Sequence, residues 1–478
     1  MTKRMACIVL LSWAAAVSAS AQSFTTLVDF SGTNGSQPFL GSLAQGADGN
    51  LYGTTFWGGS HNDGEVFRIS TGGTLTKLYS FDDTGGAHPF SGLVLGEGGI
   101  FYGTTETGNT GSYLGTVFKI SPKGVFTLLH NFDYVDGLDP NGQLVLGRDG
   151  NFYGTTPGGG ANGNYGTVFK ITPAGTLTTL YSFCSQAGCP EGYYPVAGLV
   201  LATDGSFYGT SYYGGITNSA CSAGCGTIFK LTPLGSLTTL YSFCAQGGSC
   251  SDGATPWAGL VQGRDGNFYG TTPYGGADGD YGTAFKITPA GTLTTLHSFN
   301  LTDGATPYAA LVQATDGNFY GTTSDGGANL GCNSSYNGCG TLFRITRDGV
   351  LTTLHSFDLI DGSNPDGGLL QHTDGSFFGT TSQGGNSENG TVFSLSMGFG
   401  PFLAFVRTEG RVAQTVGILG QGLTGTTAVT LNGTPASFAV LSDTFLEATV
   451  PAGATTGLVA VTTPSGTLTS NKVFRVIP

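Results

Sequence analysis

The residues most able to do chemistry are the cysteines and histidines, and their spacing narrows what that chemistry is. Cys7 lies in an N-terminal apolar run. The other eight cysteines fall into close pairs: Cys184 with Cys189, Cys221 with Cys225, Cys244 with Cys250, and Cys332 with Cys339. Pairs so close in sequence predict local disulfides in an exported chain. The rival is a zinc site, which needs two pairs brought together as a tetrahedron of thiolates. The histidines form no set. His130, His297 and His355 stand where other repeats carry Tyr79, Tyr181 and Tyr241, which reads as aromatic packing, and His61, His88 and His372 are scattered. No Gly-x-Ser-x-Gly elbow, His-Glu-x-x-His pair or phosphate loop occurs. No catalytic residue, metal ligand or cofactor is therefore predicted. Paired acids stay open, because in propeller enzymes they come from distant repeats.

The elements that would position any site come from one repeat. Phe-Tyr-Gly-Thr-Thr or a close variant occurs seven times, with glycines at Gly53, Gly103, Gly154, Gly209, Gly270, Gly321 and Gly379. Repeats of this length indicate propellers or solenoids. The third unit shows four strand-like runs. Gln143 to Leu146 comes first, an Asp-Gly-Asn turn leads to Phe152–Thr156, then come Thr167–Ile171 and Leu177 to Phe183. Four antiparallel strands make one propeller blade. The array starts with an isolated fourth strand, Phe24 to Phe30, and its last unit stops after a third strand, Thr391 to Leu395. The N-terminal strand can fill that vacancy and hide the open edges. The fold class predicted is all-β: a seven-bladed β-propeller closed by an N-terminal strand, followed by a small Ig-like β-sandwich.

Strand order sorts the loops onto two faces. One carries short turns such as Asp265-Gly266-Asn267. The other carries loops of varied length and every cysteine after Cys7. Variable loops on a rigid scaffold are where binding concentrates. Trp57, Tyr213, Tyr274, Trp257 and Tyr308 fall on that second face, with Phe39, Phe90, Tyr193 and Tyr194. Flat aromatics with few charges suit sugar rings, although packing the loops together is the plainer role for any one of them. A basic residue recurs in the third strand (Arg68, Lys119, Lys170, Lys230, Lys286, Arg344). Its regularity argues for scaffolding, such as a pair with a nearby carboxylate. The turn aspartates Asp48, Asp149, Asp204, Asp265, Asp316 and Asp374 recur for hairpin geometry. They could hold calcium only if further oxygens converged, as could Asp278-Gly279-Asp280.

The N-terminus reads as a secretory signal over residues 1–21. Lys3 and Arg4 precede an apolar run, and Ala19-Ser20-Ala21 suits cleavage before Gln22. No later run is long enough to span a bilayer. The formal net charge of −13 disfavours nucleic acid as a partner. The repeat domain is placed at 22–395, a Gly-rich linker at 396–401 and the sandwich at 402–478.

Two family resemblances follow. Residues 402–478 resemble an IPT/TIG Ig-like domain, carried by Gly420-Gln421-Gly422-Leu423, Val429-Thr430-Leu431-Asn432-Gly433 and Ala448-Thr449-Val450-Pro451. Such domains in exported proteins imply spacers and binding or adhesion modules. Residues 24–395 resemble the GloVer tandem repeat of exported bacterial proteins, whose hallmark is the run from Asp265 to Gly276. Members carry differing cell-surface anchors, whereas this chain ends in the Ig-like domain. The resemblance implies no established activity and no catalytic residues. Three functions are left in competition. The first is a secreted or cell-surface binding or adhesion protein, its partner a polysaccharide or cell-surface glycan held on the aromatic loops. The others are a polysaccharide-cleaving enzyme with acids at the pore mouth, and a structural envelope or matrix component.

Overall fold

The computed structural model describes residues 22–108, 114–245, 250–329, 331–332 and 338–477. The expected signal segment at 1–21 lies outside the described residues. Among the described residues, regular structure is all strand apart from one turn of 3-10 helix at Glu97–Gly99. Seven four-stranded antiparallel sheets follow one another along the repeats in a propeller-like fold. We number them 1 to 7 in chain order of their second strands. Sheet 3 is typical, with strands Val145–Leu146, Phe152–Thr156, Thr167–Ile171 and Leu177–Ser182. In sheet 7 the outer place beside Thr391–Ser396 is taken by Ser23–Asp29 from the N-terminus.

Each residue of the repeated motif has a scaffold task. The Asp of the turn accepts a hydrogen bond from the Tyr hydroxyl four residues on: Tyr52 to Asp48 at 2.9 Å, Tyr153 to Asp149 at 2.9 Å, Tyr269 to Asp265 at 2.8 Å. The same Tyr ring stacks on the Phe of the next sheet, as Tyr52 does on Phe101 and Tyr153 on Phe207, both at 4.1 Å. The Gly leaves room for the third-strand Phe. A Cβ on Gly53 would stand 2.6 Å from the Phe67 ring. The first Thr reaches the next sheet, Thr155 Oγ1 donating to Ala197 O at 2.8 Å. The second Thr pairs with a third-strand Thr, as Thr156 does with Thr167 at 2.8 Å, both fully buried.

The inner strands are shorter than the sequence suggested. In sheet 3 only Val145–Leu146 joins the ladder, because the chain before it serves its neighbours: Gln143 Nε2 donates to Leu93 O at 2.8 Å. The fourth strands are not plain alternations. Val168 opposes Tyr181 and Phe169 opposes Thr179, so Leu180 is the extra residue of a bulge. A glutamine at the end of the inner strand joins adjacent sheets. Gln262 accepts from Thr203 N, Gln313 from Arg264 N, Gln371 from Thr315 N, and Gln45 from Thr373 N at 3.0 Å. That last bond joins sheet 7 to sheet 1.

The C-terminal residues pack two further four-stranded sheets face to face. One orders Ala404–Phe405, Thr415–Leu419, Phe445–Thr449 and Phe438–Ser442. The other orders Thr434–Pro435, Ala428–Leu431, Val459–Thr463 and Gly466–Thr469. Val416, Ile418, Leu431, Leu446, Val461 and Phe474 fill the space between. The chain entering Thr415–Leu419 is not one continuous strand. Glu409–Arg411 instead pairs in parallel with Arg475–Ile477, and a turn separates it from Thr415. This unit sits against the short-turn side of the repeats. Ser442 and Thr444 donate to Ala47 O of sheet 1, Arg407 pairs with Glu97 of sheet 2, and Arg148 of sheet 3 pairs with Glu409 at 2.7 Å. Arg264 of sheet 5 donates to Asn471 O at 3.0 Å, and Thr373 of sheet 7 to Gly420 O at 3.2 Å.

Candidate binding face

The long loops are built by a second repeated device. In every unit the loop entering a sheet bridges to the residue two places beyond its second strand. Ser36 pairs with Trp57, Tyr193 with Tyr213, Ala254 with Tyr274, and Ala305 with Asp325. Trp57, Tyr213, Tyr274 and Asp325 are therefore equivalent positions. Next in the entering loop comes a residue before proline. It has a left-handed backbone in all seven units: Gln37, His88, Asp139, Tyr194, Thr255, Thr306 and Asn364, with φ from 48° to 61°. Non-glycine residues adopt this conformation rarely, and the surroundings must hold them there. Here the clamp is backbone pairing: Tyr212 N donates to Tyr194 O and Glu106 N to His88 O, at 3.1 and 3.0 Å.

These positions gather side chains from different sheets at one mouth. Tyr274 and Tyr308 touch hydroxyl to hydroxyl at 3.1 Å. Trp257 stands edge-on to Tyr308 and to Tyr212, with ring centroids 5.8 and 5.2 Å apart. Tyr212 meets Tyr213 at 4.5 Å, and Tyr213 meets Tyr193 and Tyr194. Four of the five aromatics singled out from the sequence thus form one rim over sheets 4 to 6. The fifth, Trp57, belongs to a separate cluster with Phe56 and His88. The Trp257 Nε1–H is buried with no acceptor among the described residues.

Acids also stand at this mouth. Burial pushes the Glu106 carboxyl up to about 7, and nearby Asp139 adds to the rise. Burial alone lifts Asp139 to about 6. Both acids act on Tyr194, which burial and their charge make harder to ionise. On the far side, burial raises Asp366 to about 6, with Asp325 contributing. Ser382 donates to Asp366 at 2.6 Å and Thr306 to Asp325 at 2.7 Å. Tyr308 feels Asp366 and Asp325, so the aromatic rim and this acid pair are neighbours.

None of these four acids was singled out from the sequence, for each stands at a position that varies from unit to unit: Glu106 stands where other units have Phe56, Pro157, Tyr212, Pro273, Ser324 and Ser382. The seven-fold X-Pro spacing was the signal that could have found Asp139.

The residues read as scaffold behave as scaffold. His130, His297 and His355 pair with Asp136, Asp303 and Asp361 at 2.7, 2.9 and 2.7 Å, and Tyr241 uses Asp252 in the same way. Lys230 pairs with the turn acid Asp204 at 2.8 Å, whereas Lys119 bonds a carbonyl, Pro173 O. The cysteines join as four local disulfides, Cys184–Cys189, Cys221–Cys225, Cys244–Cys250 and Cys332–Cys339.

Fold and mouth together define a tandem-repeat β protein of propeller-like build that presents one elaborated loop face. The chain belongs to the Gloeobacter/Verrucomicrobia repeat family, whose model matches residues 15–221 and 215–437. No curated protein matches it. Among solved structures it is similar to a fungal alcohol oxidase of the AA5 family in complex with copper, at 16% identity and a TM-score of 0.52. That match covers 93% of this chain and 98% of the other. It is also similar to the extracellular domain of a hybrid two-component system of B. thetaiotaomicron, at 12% identity and a TM-score of 0.49. Here 96% of this chain and 60% of the other are covered. PorZ, a surface component of the type-IX secretion system of Porphyromonas gingivalis, matches at 12% identity and a TM-score of 0.47, with 92% and 60% covered. At 16% identity the likeness to the oxidase is one of fold. Among the described residues no helix is long and apolar enough to cross a membrane.

Proposed function

We propose that this is an exported binding or adhesion protein that holds polysaccharide or cell-surface glycan at the loop-face mouth. In this reading the seven sheets are the blades of a closed propeller. The C-terminal sandwich is an Ig-like domain of IPT/TIG type acting as spacer. One observation carries the proposal: Tyr212, Trp257, Tyr274 and Tyr308, from three successive sheets, form a continuous aromatic rim beside the buried acids Asp325 and Asp366. Flat rings give stacking surface for pyranose faces, and carboxylates and phenols bond their hydroxyls. The test is a pull-down on insoluble polysaccharides and cell walls, with released sugars assayed in the supernatant. Depletion without release is expected. Tyr274→Ala with Tyr308→Ala should abolish depletion while the thermal transition persists. Depletion unchanged by that pair would sink the rim as the site.

A second reading has its own support. Glu106 and Asp139 come from adjacent units, Asp139 adds to the rise of Glu106, and both are raised. A carboxyl kept protonated beside a second acid is the equipment of a glycoside-cleaving general acid. Sugar release that Glu106→Gln abolishes would make the protein an enzyme.

A further inference from the structure

We propose that Cys221, Cys225, Cys244 and Cys250, when reduced, form a four-thiolate zinc site that clamps two loops of the binding face. Two of the four cysteine pairs are brought together, one from the loop inside sheet 4 and one from the loop leading to sheet 5. Their four sulfurs all lie within 4.8 Å of one another, and Cys221 Sγ is 3.9 Å from Cys244 Sγ. Zinc–sulfur bonds of about 2.3 Å in a tetrahedron set each sulfur–sulfur edge at about 3.8 Å. The two pairs therefore already stand at nearly the spacing the ion demands of each other, and on reduction the bonded sulfurs within each pair part to complete the tetrahedron.

The surroundings suit a closed structural site. Cys225, Cys244 and Cys250 are buried and Cys221 half-buried, so no position is left open for a substrate. Asn218 braces the cluster from outside. Its Oδ1 accepts from Ala220 N and Cys221 N, and its Nδ2 lies 3.8 Å from Cys250 Sγ. Amide donors of this kind orient and stabilise thiolate ligands. The cluster also anchors the loop face. Cys250 O accepts from Gly276 N, two residues past Tyr274, and Cys225 O accepts from Thr255 N, two before Trp257.

The chemistry balances simply. Four thiols and one Zn²⁺ give the tetrathiolate and four protons. A disulfide oxidant that takes two electrons per pair releases the ion and leaves the two local disulfides, its own sulfurs departing as thiols. Zinc thus holds the geometry in the thiol state and oxidation replaces it.

The experiment uses the full chain, fully reduced without oxygen, titrated with Co²⁺ as the spectroscopic probe and then with Zn²⁺. The expected result is thiolate-to-cobalt charge-transfer absorption saturating at one equivalent and bleached by Zn²⁺. Zinc should also shield four of the eight loop cysteines from alkylation. Cys184→Ser with Cys189→Ser should leave the absorption intact, whereas Cys221→Ser with Cys244→Ser removes it. Circular dichroism reports folding alongside. A reduced chain that folds only when the metal is added supports the site. A reduced, folded wild-type chain without the absorption overturns the proposal. So does absorption that survives Cys221→Ser with Cys244→Ser, or a reduced chain that stays unfolded with metal present.

Discussion

Glu106→Gln isolates the electrostatics of the loop face. Burial, aided by Asp139, moves this carboxyl from 4.5 to about 7. At 1.36 kcal/mol per tenfold change in proton affinity, that rise corresponds to a ceiling of about 3.4 kcal/mol. The side chain keeps some contact with water, so about 1–2 kcal/mol is the working figure. The folded protein holds this proton more tightly than the unfolded chain. Its contribution to stability is therefore complete below about 4.5 and lost as pH rises through about 7. Glu106→Gln cannot lose a proton, so variant and wild type should differ little at pH ~4.5, where the native carboxyl is protonated. At pH ~8 the variant should be the more stable by about 1–2 kcal/mol, read as a higher urea midpoint at unchanged slope. An offset equal at both pH values would refute the reasoning. A variant weaker at high pH would show instead that the ionised carboxylate is held by a partner.

Three further outcomes follow from other parts of the molecule. Phe30→Ala removes a fully buried ring that packs on Phe67, and should cost about 3–5 kcal/mol in urea unfolding. Thr156→Val breaks the buried hydroxyl pair with Thr167 and should cost about 1–3 kcal/mol by the same measurement. Arg148→Ala strips the buried Glu409 of its partner across the junction between the repeats and the C-terminal sandwich. It should speed protease cleavage near residues 396–401 without changing the secondary structure seen by circular dichroism.

The repeat architecture was legible because it is written many times over. Tyr, Gly and both Thr positions recur for reasons the structure makes plain: hydroxyl to turn carboxylate, space for a Phe, one hydroxyl to the neighbouring sheet and one across the strand pair. The missing fourth strand of the last unit was likewise visible as arithmetic, and Ser23–Asp29 pairs with Thr391–Ser396. The sandwich strands were less readable. Short strands such as Thr434–Pro435 carry almost no pattern, and the parallel pair Glu409–Arg411 with Arg475–Ile477 joins distant segments. The aromatic rim was half legible. Tyr274 and Tyr308 were marked by their places in the repeat, but nothing local says that Trp57 stands apart from them. The meeting of Glu106 with Asp139, and of the Cys221 pair with the Cys244 pair, comes from the packing of loops of adjacent units, which no local pattern marks.

The C-terminal sandwich leans on the turns of sheets 1, 2, 3, 5 and 7. In the closed ring proposed above, a sandwich resting on turns of five of the seven sheets leaves the loop face as the free entrance. On that proposal a polysaccharide is met end-on or grazed along the rim instead of being threaded, free chain ends and protruding branches are favoured, and short oligosaccharides should compete with the intact polymer nearly as well as the polymer binds, residue for residue.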